Sequence, residues 1–179
     1  MTKFSSAFGD KYQANRKNLL IRSFELGGHT FKVRIPLVAE SEEIYKKVSE
    51  PDEATVEKIY VEITASLRKF ETTQTEDFKF TDNDILVEGR SMREASKNKA
   101  ITEARITEFF KLLVPELEGA SLEDLTYADI QDEFPISVQM QIVEKIGEVI
   151  SPTYKEARGN WLARWKANVK RQWFSTGTP

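Results

Sequence analysis

Few residues in this chain are suited to chemistry, and the sole histidine, His29, is the first to consider. It follows Gly27 and Gly28, and the sequence contains no cysteine. A zinc site would therefore take nearly all its ligands from carboxylates, which is unusual for that metal. A serine hydrolase would need a G-x-S-x-G motif, which the sequence lacks. We predict that His29 is a turn residue at the edge of a strand.

Acidic residues and glycines are the other candidates, and neither group has the spacing of a known site. Asp82, Asn83 and Asp84 begin like a calcium loop, but the glycine of the sixth position and the glutamate ligand of the twelfth do not follow. Gly27 and Gly28 lack the G-x-G-x-x-G and G-x-x-x-x-G-K spacings that hold phosphate. We expect the carboxylates to lie on solvated faces. The sequence therefore predicts no catalytic residue, no metal and no cofactor, and we expect that the protein is not an enzyme.

The C-terminal segment, residues 153–179, concentrates basic and aromatic side chains. It contains all three tryptophans and carries a charge of +5, whereas residues 1–152 carry −8. Tryptophan and arginine are enriched where a few side chains supply most of the energy of an interface. We therefore predict that this segment binds a partner. The predicted partner-binding residues are Trp161, Trp165, Val169, Trp173, Arg158, Arg164, Lys170 and Arg171.

Three hypotheses explain the C-terminal segment, in which residues 152–174 are predicted to form an amphipathic helix with aromatics at i, i+4 spacing. The helix could dock on the body of its own chain, or lie in a groove of a partner protein. It could also bind nucleic acid through phosphate contacts and base stacking. The acidic body argues against nucleic acid, because it would repel the same phosphates. Too few apolar residues on the segment argue against a helix lying on a membrane surface.

Length and composition bound the class of protein. The chain has 179 residues, of which 40% are hydrophobic and 31% charged, so we expect one domain, or one domain plus an appendage, with a real core. The N-terminal residues contain no apolar run typical of a secretory signal. No run approaches the ~18–20 apolar residues that cross a bilayer. We expect a soluble intracellular protein.

The elements that must position these residues begin with a β-hairpin over residues 19–35. Gly27 and Gly28 can supply the positive φ angles of its tight turn. Phe31, Val33 and Ile35 alternate with basic residues, which is the period of a half-buried strand. Residues 71–83 are polar and predict a loop, and residues 84–88 could add a third strand to the hairpin.

Helical patterns fill most of the remaining chain. They predict a helix over residues 38–48, and a second that starts near Ser49 and Pro51 and runs to about residue 70. Ser91 and Glu94 form a capping-box pattern that opens a helix to about residue 114. Thr126 begins a short helix, and Pro135 opens one with an apolar stripe between residues 142 and 150.

The predicted fold class is α+β. A small antiparallel sheet, made of the β-hairpin plus the third strand, is followed by a mainly α-helical half that ends in the C-terminal amphipathic helix. The predicted divisions are a flexible N-terminal arm over residues 1–18, an α+β body over residues 19–152, and a basic, tryptophan-rich helix and tail over residues 153–179.

Several segments, taken in order, resemble a tail assembly chaperone of long-tailed bacteriophages, and together they span roughly residues 20–158. These segments are 24–36 (FELGGHTFKVRIP), the helix around 39–40, 87–91 (VEGRS), 106–115 (ITEFFKLLVP), 125–130 (LTYADI), 134–139 (FPISVQ) and 146–154 (IGEVISPTY).

The resemblance implies a non-enzymatic, non-virion protein that acts in the host cytoplasm. Such a protein binds the tape measure protein, keeps that long helical chain soluble and helps to recruit tail tube subunits. Many members are also made in a longer, frameshifted form, which would be a further partner. A structural virion protein of the tail or neck is the alternative hypothesis, and a regulator that binds nucleic acid through its basic tail is the third.

Overall fold

The computed structural model describes residues 3–71 and 77–151. Its first element is helix α1 (Lys3–Leu19), which has a kink at Gly9, where φ is +69°. The sequence patterns do not predict this helix. Local contacts support the helix, since Phe8 and Tyr12 pack four residues apart with ring centroids at 5.5 Å. The flexibility of this region, and the division into arm, body and tail, stay predictions.

The β-hairpin is confirmed. Strand β1 (Ile21–Leu26) pairs antiparallel with β2 (His29–Arg34). Gly27 and Gly28 between them have φ angles of +61° and +81°, a left-handed conformation that favours glycine. On the inner face, the ring of Phe24 stacks on that of Phe31 at 5.2 Å, and Val33 is fully buried. The alternation of apolar and basic residues in the sequence therefore predicts correctly which face of the hairpin is buried.

The predicted third strand does not pair with this hairpin. Residues Ile85–Val87 form β4, the central strand of a separate antiparallel sheet with β3 (Phe78–Phe80) and β5 (Arg90–Ser91). Strand β3 also replaces part of the predicted loop over residues 71–83. The strands of this sheet have three residues or fewer. Such short strands carry too little alternation to indicate their partners.

A different segment extends the hairpin. Residues 112–114 lie antiparallel to β2, with an isolated bridge between Val33 and Leu113. The amide of Arg34 donates to the carbonyl of Leu112, and the amide of Val114 donates to the carbonyl of Lys32, both at 2.8 Å. These bonds satisfy backbone groups on the edge of β2, which would otherwise face solvent.

The next elements are helices α2 (Val38–Ser49) and α3 (Glu53–Thr64) and a short 3-10 helix (Leu67–Phe70). The N-cap of α3 is Asp52, whose carboxylate accepts from the amide of Thr55 at 3.0 Å. The prediction placed the cap at Ser49, but that residue ends α2. The α-helical part of the second predicted helix also stops at Thr64, whose hydroxyl donates back to the carbonyl of Tyr60 at 2.6 Å.

Three further helices follow: α4 (Met92–Phe110), α5 (Tyr127–Glu133) and α6 (Ile136–Ile150). The predicted starts at Ser91, Thr126 and Pro135 are confirmed, since these residues are the three N-caps. Helix α4 ends four residues before the predicted end at residue 114, because the following residues pair with β2. The predicted C-terminal helix lies outside the described residues.

Helix α4 connects two hydrophobic clusters. Its N-terminal half packs on α3, where Val56, Ile59 and Ala100 form a small cluster. Its C-terminal half packs on α5 and α6 and contributes to the main core, together with the hairpin. The main core consists of Phe24, Val33, Ile106, Phe109, Phe110, Leu112, Ile130, Met140, Ile142, Val143 and Ile146. The fold class is therefore α+β, as predicted. Within residues 3–71 and 77–151, none of the helices is both long and apolar enough to cross a membrane.

Candidate functional site

The partner-binding residues predicted from the sequence all lie in residues 152–179, outside the described part of the chain. Their arrangement is therefore not tested. These residues are Arg158, Trp161, Arg164, Trp165, Val169, Lys170, Arg171 and Trp173.

His29 lies at the first position of β2, beside the hairpin turn, as predicted. Its Nε2 is 3.7 Å from Oε1 of Glu116, and both side chains are exposed. The imidazole also packs edge-on against the ring of Phe31, with centroids 4.6 Å apart. No group of three or more acidic or histidine side chains that could hold a metal ion occurs among the described residues.

An open, largely apolar groove of about 310 Å³ lies where the hairpin, the end of α4 and α5 meet. We call it the aromatic groove, because three phenylalanine rings line it. Two acidic side chains, Asp129 and Glu133, lie at its edge and are exposed. The apolar lining consists of Phe31, Phe110, Leu113, Leu122, Leu125, Ile130 and Phe134.

Each phenylalanine of the groove is held by a different element. Phe31 is on β2 and is fixed by stacking on Phe24. Phe110 is the last residue of α4 and is buried, and its ring centroid is 6.0 Å from that of Phe134, which follows α5. Aromatic side chains lose little rotamer freedom when they bind, so a preformed aromatic lining favours the binding of apolar groups.

The capping box of α5 fixes the acidic edge of the groove. The amide and hydroxyl of Thr126 donate to Oδ2 of Asp129, at 2.8 Å for the amide, and the amide of Asp129 donates to the Thr126 hydroxyl at 3.3 Å. These bonds from Thr126 hold the pKa of Asp129 below its usual value. Asp129 therefore stays ionised into the acidic range.

The surroundings of the groove are also acidic. Residues 111–135, which form most of it, contain seven carboxylates and a single lysine. A groove that combines apolar lining with such a charge is complementary to a segment with apolar anchors and basic flanks. The arrangement is suited to binding.

A second, more polar recess lies between α4 and the junction of α5 and α6. Burial raises the pKa of Glu103 in this recess, against the opposing effect of Lys99. Burial also raises the pKa of Tyr127. Gln139 is buried, and its amide nitrogen donates to the carbonyl of Phe134 at 2.6 Å. Its Oε1 has no hydrogen-bond partner among the described residues.

Sequence reasoning did not find the aromatic groove. Phe109 and Phe110 are both buried, and Phe110 also lines the groove. Leu122 and Leu125 flank the acidic pair Glu123–Asp124 in the α4–α5 loop, where no periodic pattern marks them. Leucines on both sides of an acidic pair, in a loop without periodic pattern, are the signal that could have pointed to this surface.

Comparison with known proteins gives no relatives: no family model, no curated protein and no solved structure matches this chain.

Proposed function

We propose that the protein is a non-enzymatic tail assembly chaperone of a long-tailed bacteriophage. It binds the tape measure protein in the host cytoplasm, keeps it soluble and helps to recruit tail tube subunits. The observation that supports this proposal is the aromatic groove, an open apolar surface with an acidic edge. The order of the sequence segments that resemble the family is the other support.

A holdase must cover apolar surface of its partner, and each Å² of apolar surface removed from water contributes about 25 cal/mol. The tape measure protein is expected to be a long helical chain with exposed apolar faces. In the proposed complex, apolar side chains of such a helix contact Phe31, Phe110 and Phe134, while basic residues beside them lie near Asp129 and Glu133. A helix that binds in a groove in this way contacts it through apolar side chains at positions i, i+3 and i+4.

Co-expression with the tape measure protein tests this function. We expect the wild-type chain to increase the soluble fraction of that partner, and Leu122→Ser, which removes an apolar contact from the groove wall, to weaken the effect. Leu117→Ser is the matched control, because Leu117 is 80% exposed in the same loop and does not line the groove. Trp161→Ala and Trp165→Ala report whether the C-terminal segment contributes.

Two results would contradict the proposal. One is a soluble fraction of the tape measure protein that does not change when the wild-type chain is present. The other is recovery of this chain from purified mature particles by mass spectrometry, which would favour a structural tail or neck protein instead.

A further inference from the structure

We propose that the aromatic groove also binds the C-terminal segment of its own chain, residues 153–179, through one or more of that segment's tryptophans. The groove offers three phenylalanine rings and four aliphatic side chains on one open surface. Tryptophan is the side chain with the largest apolar area, and it pairs favourably with phenylalanine rings at centroid distances of about 4.5–7 Å. The chain contains no tryptophan outside this segment.

Charge complementarity selects this occupant. The segment carries +5, and it carries one acidic residue among its seven charged residues. Residues 111–135, around the groove, carry seven carboxylates and one lysine. Arg158, Arg164 and Lys166 lie within five residues of Trp161 or Trp165, so basic groups accompany any tryptophan that enters the groove. The carboxylates of Asp129 and Glu133 at the groove edge are exposed and positioned to receive them.

The chain can reach the groove from where helix α6 ends. Helix α6 has 15 residues and begins at Ile136, two residues after the groove residue Phe134. At 1.5 Å per residue, its C-terminal end at Ile150 is about 22 Å from that start. Trp161 follows Ile150 by 11 residues, which span roughly 36 Å if they are extended. If the segment is helical, as its sequence predicts, the 23 residues from Ile150 to Trp173 span about 34 Å. Docking within one molecule is therefore geometrically allowed.

This contact has a consequence for partner binding, and only that consequence rests on the proposed function. If a helix of the tape measure protein uses the same groove, it must displace the C-terminal segment. The segment then covers the apolar surface of the free chaperone. The apparent affinity for the partner is lowered in proportion to the fraction of molecules whose groove is free.

Intrinsic tryptophan fluorescence of the full chain tests the contact directly, because every tryptophan belongs to the C-terminal segment. In the wild-type chain, we expect an emission maximum at shorter wavelength than in denaturant, and weak quenching by acrylamide. Leu122→Ser is expected to lower the ratio of docked to free segment by roughly tenfold, which corresponds to about 1.4 kcal/mol, because docking buries the part of this leucine that is still exposed. Its emission then shifts to longer wavelength, and acrylamide quenches it more strongly. Leu117→Ser should leave both readouts unchanged.

A second variant tests the electrostatic part without touching the apolar lining. Glu133→Lys reverses a charge at the groove edge, and we expect it to shift the emission in the same direction as Leu122→Ser. Lysine at the last position of α5 is compatible with the helix dipole, so folding should be preserved. Glu50→Lys, an exposed position between α2 and α3, is the control with the same change in net charge. The far-UV circular dichroism of each variant verifies that the body is folded.

Three outcomes would overturn the proposal. Wild-type emission equal to that of the denatured chain would mean that the segment is free. Protected tryptophans that respond to neither Leu122→Ser nor Glu133→Lys would mean that the segment is buried elsewhere. Protection that appears only as protein concentration rises would assign the contact to a second copy. Because these measurements use the protein alone, they can fail while the tape measure protein is still solubilised, and the reverse also holds.

Discussion

At the scale of single residues, Glu103 has the most informative environment. It lies on α4, its side chain is only 20% exposed, and Lys99 is 3.7 Å away. Burial raises its pKa, the negative charge of Glu62 adds to that effect, and Lys99 opposes it. Since the removal of this carboxylate from water outweighs the attraction of Lys99, the charged form is disfavoured in the folded state.

Glu103→Gln is therefore expected to stabilise the protein at neutral pH. The pKa of Glu103 is higher in the folded state than in the unfolded state, so at pH values between the two the folded state binds more protons. The free energy of unfolding therefore falls as pH rises from the unfolded pKa through the folded pKa. Glutamine has no charge to bury. The stability that Glu103→Gln gains over the wild-type chain should therefore shrink as pH falls, and vanish below the unfolded pKa of Glu103. Thermal unfolding midpoints from neutral to acidic pH measure this difference. Glu42→Gln, at an exposed position on α2, is the control, and equal, pH-independent effects of the two variants would contradict the argument.

At the scale of elements, the short helix α5 depends on its capping box. A helix of seven residues is too short to be stable by itself in water. Reciprocal bonds between Thr126 and Asp129 satisfy amides at its start, and the buried Ile130 anchors it to the main core. Because α5 presents Ile130 and leads into Phe134, the same cap also shapes the aromatic groove.

Thr126→Ala should destabilise the protein by about 1 kcal/mol, the usual effect of losing an N-cap. Chemical denaturation at neutral pH measures this change. Thr102→Ala is a matched control, because the Thr102 hydroxyl donates only to the carbonyl of Asn98 within α4 and caps nothing. If both variants unfold at the same denaturant concentration, the capping box does not contribute to stability as argued.

At the scale of the whole molecule, α4 joins two clusters of unequal size. Ile59 is buried in the small cluster on α3, and Ile106 is buried in the main core. Arg93 on α4 also donates a hydrogen bond of 2.8 Å to the carboxylate of Glu57 on α3, which connects the two helices. A small cluster with few buried apolar residues is expected to open at lower free energy than the main core.

Ile106→Ala is expected to cost about 2–5 kcal/mol and to speed amide hydrogen exchange chiefly in the hairpin, whose amides exchange when the main core opens. Ile59→Ala should speed exchange in α3 and leave β1 and β2 nearly unchanged, since α3 opens without the main core. Hydrogen exchange of the folded chain, resolved by peptide, distinguishes the two patterns. Equal acceleration of the hairpin by both variants would show that the two clusters unfold as one cooperative unit.

The predictable features of this protein are local. The Gly27–Gly28 turn follows from the steric freedom of glycine at positive φ, and the start of α5 follows from bonds between Thr126 and Asp129, three residues apart. The orientation of the hairpin follows from the alternation of Phe31, Val33 and Ile35. Such signals involve neighbouring residues, so they act before the chain has folded.

Tertiary structure decided the features that join distant parts of the chain. The segment that extends β2 comes from residues 112–114, which the sequence pattern placed at the end of a helix, and not from residues 84–88, which the pattern predicted as the third strand. The aromatic groove likewise exists only because β2, the end of α4 and α5 meet in the main core, which brings Phe31 beside Phe110 and Phe134. Local patterns specify which face of each element is apolar. Which faces meet depends on the burial and backbone pairing of the whole chain, because these energies are shared between residues far apart in sequence.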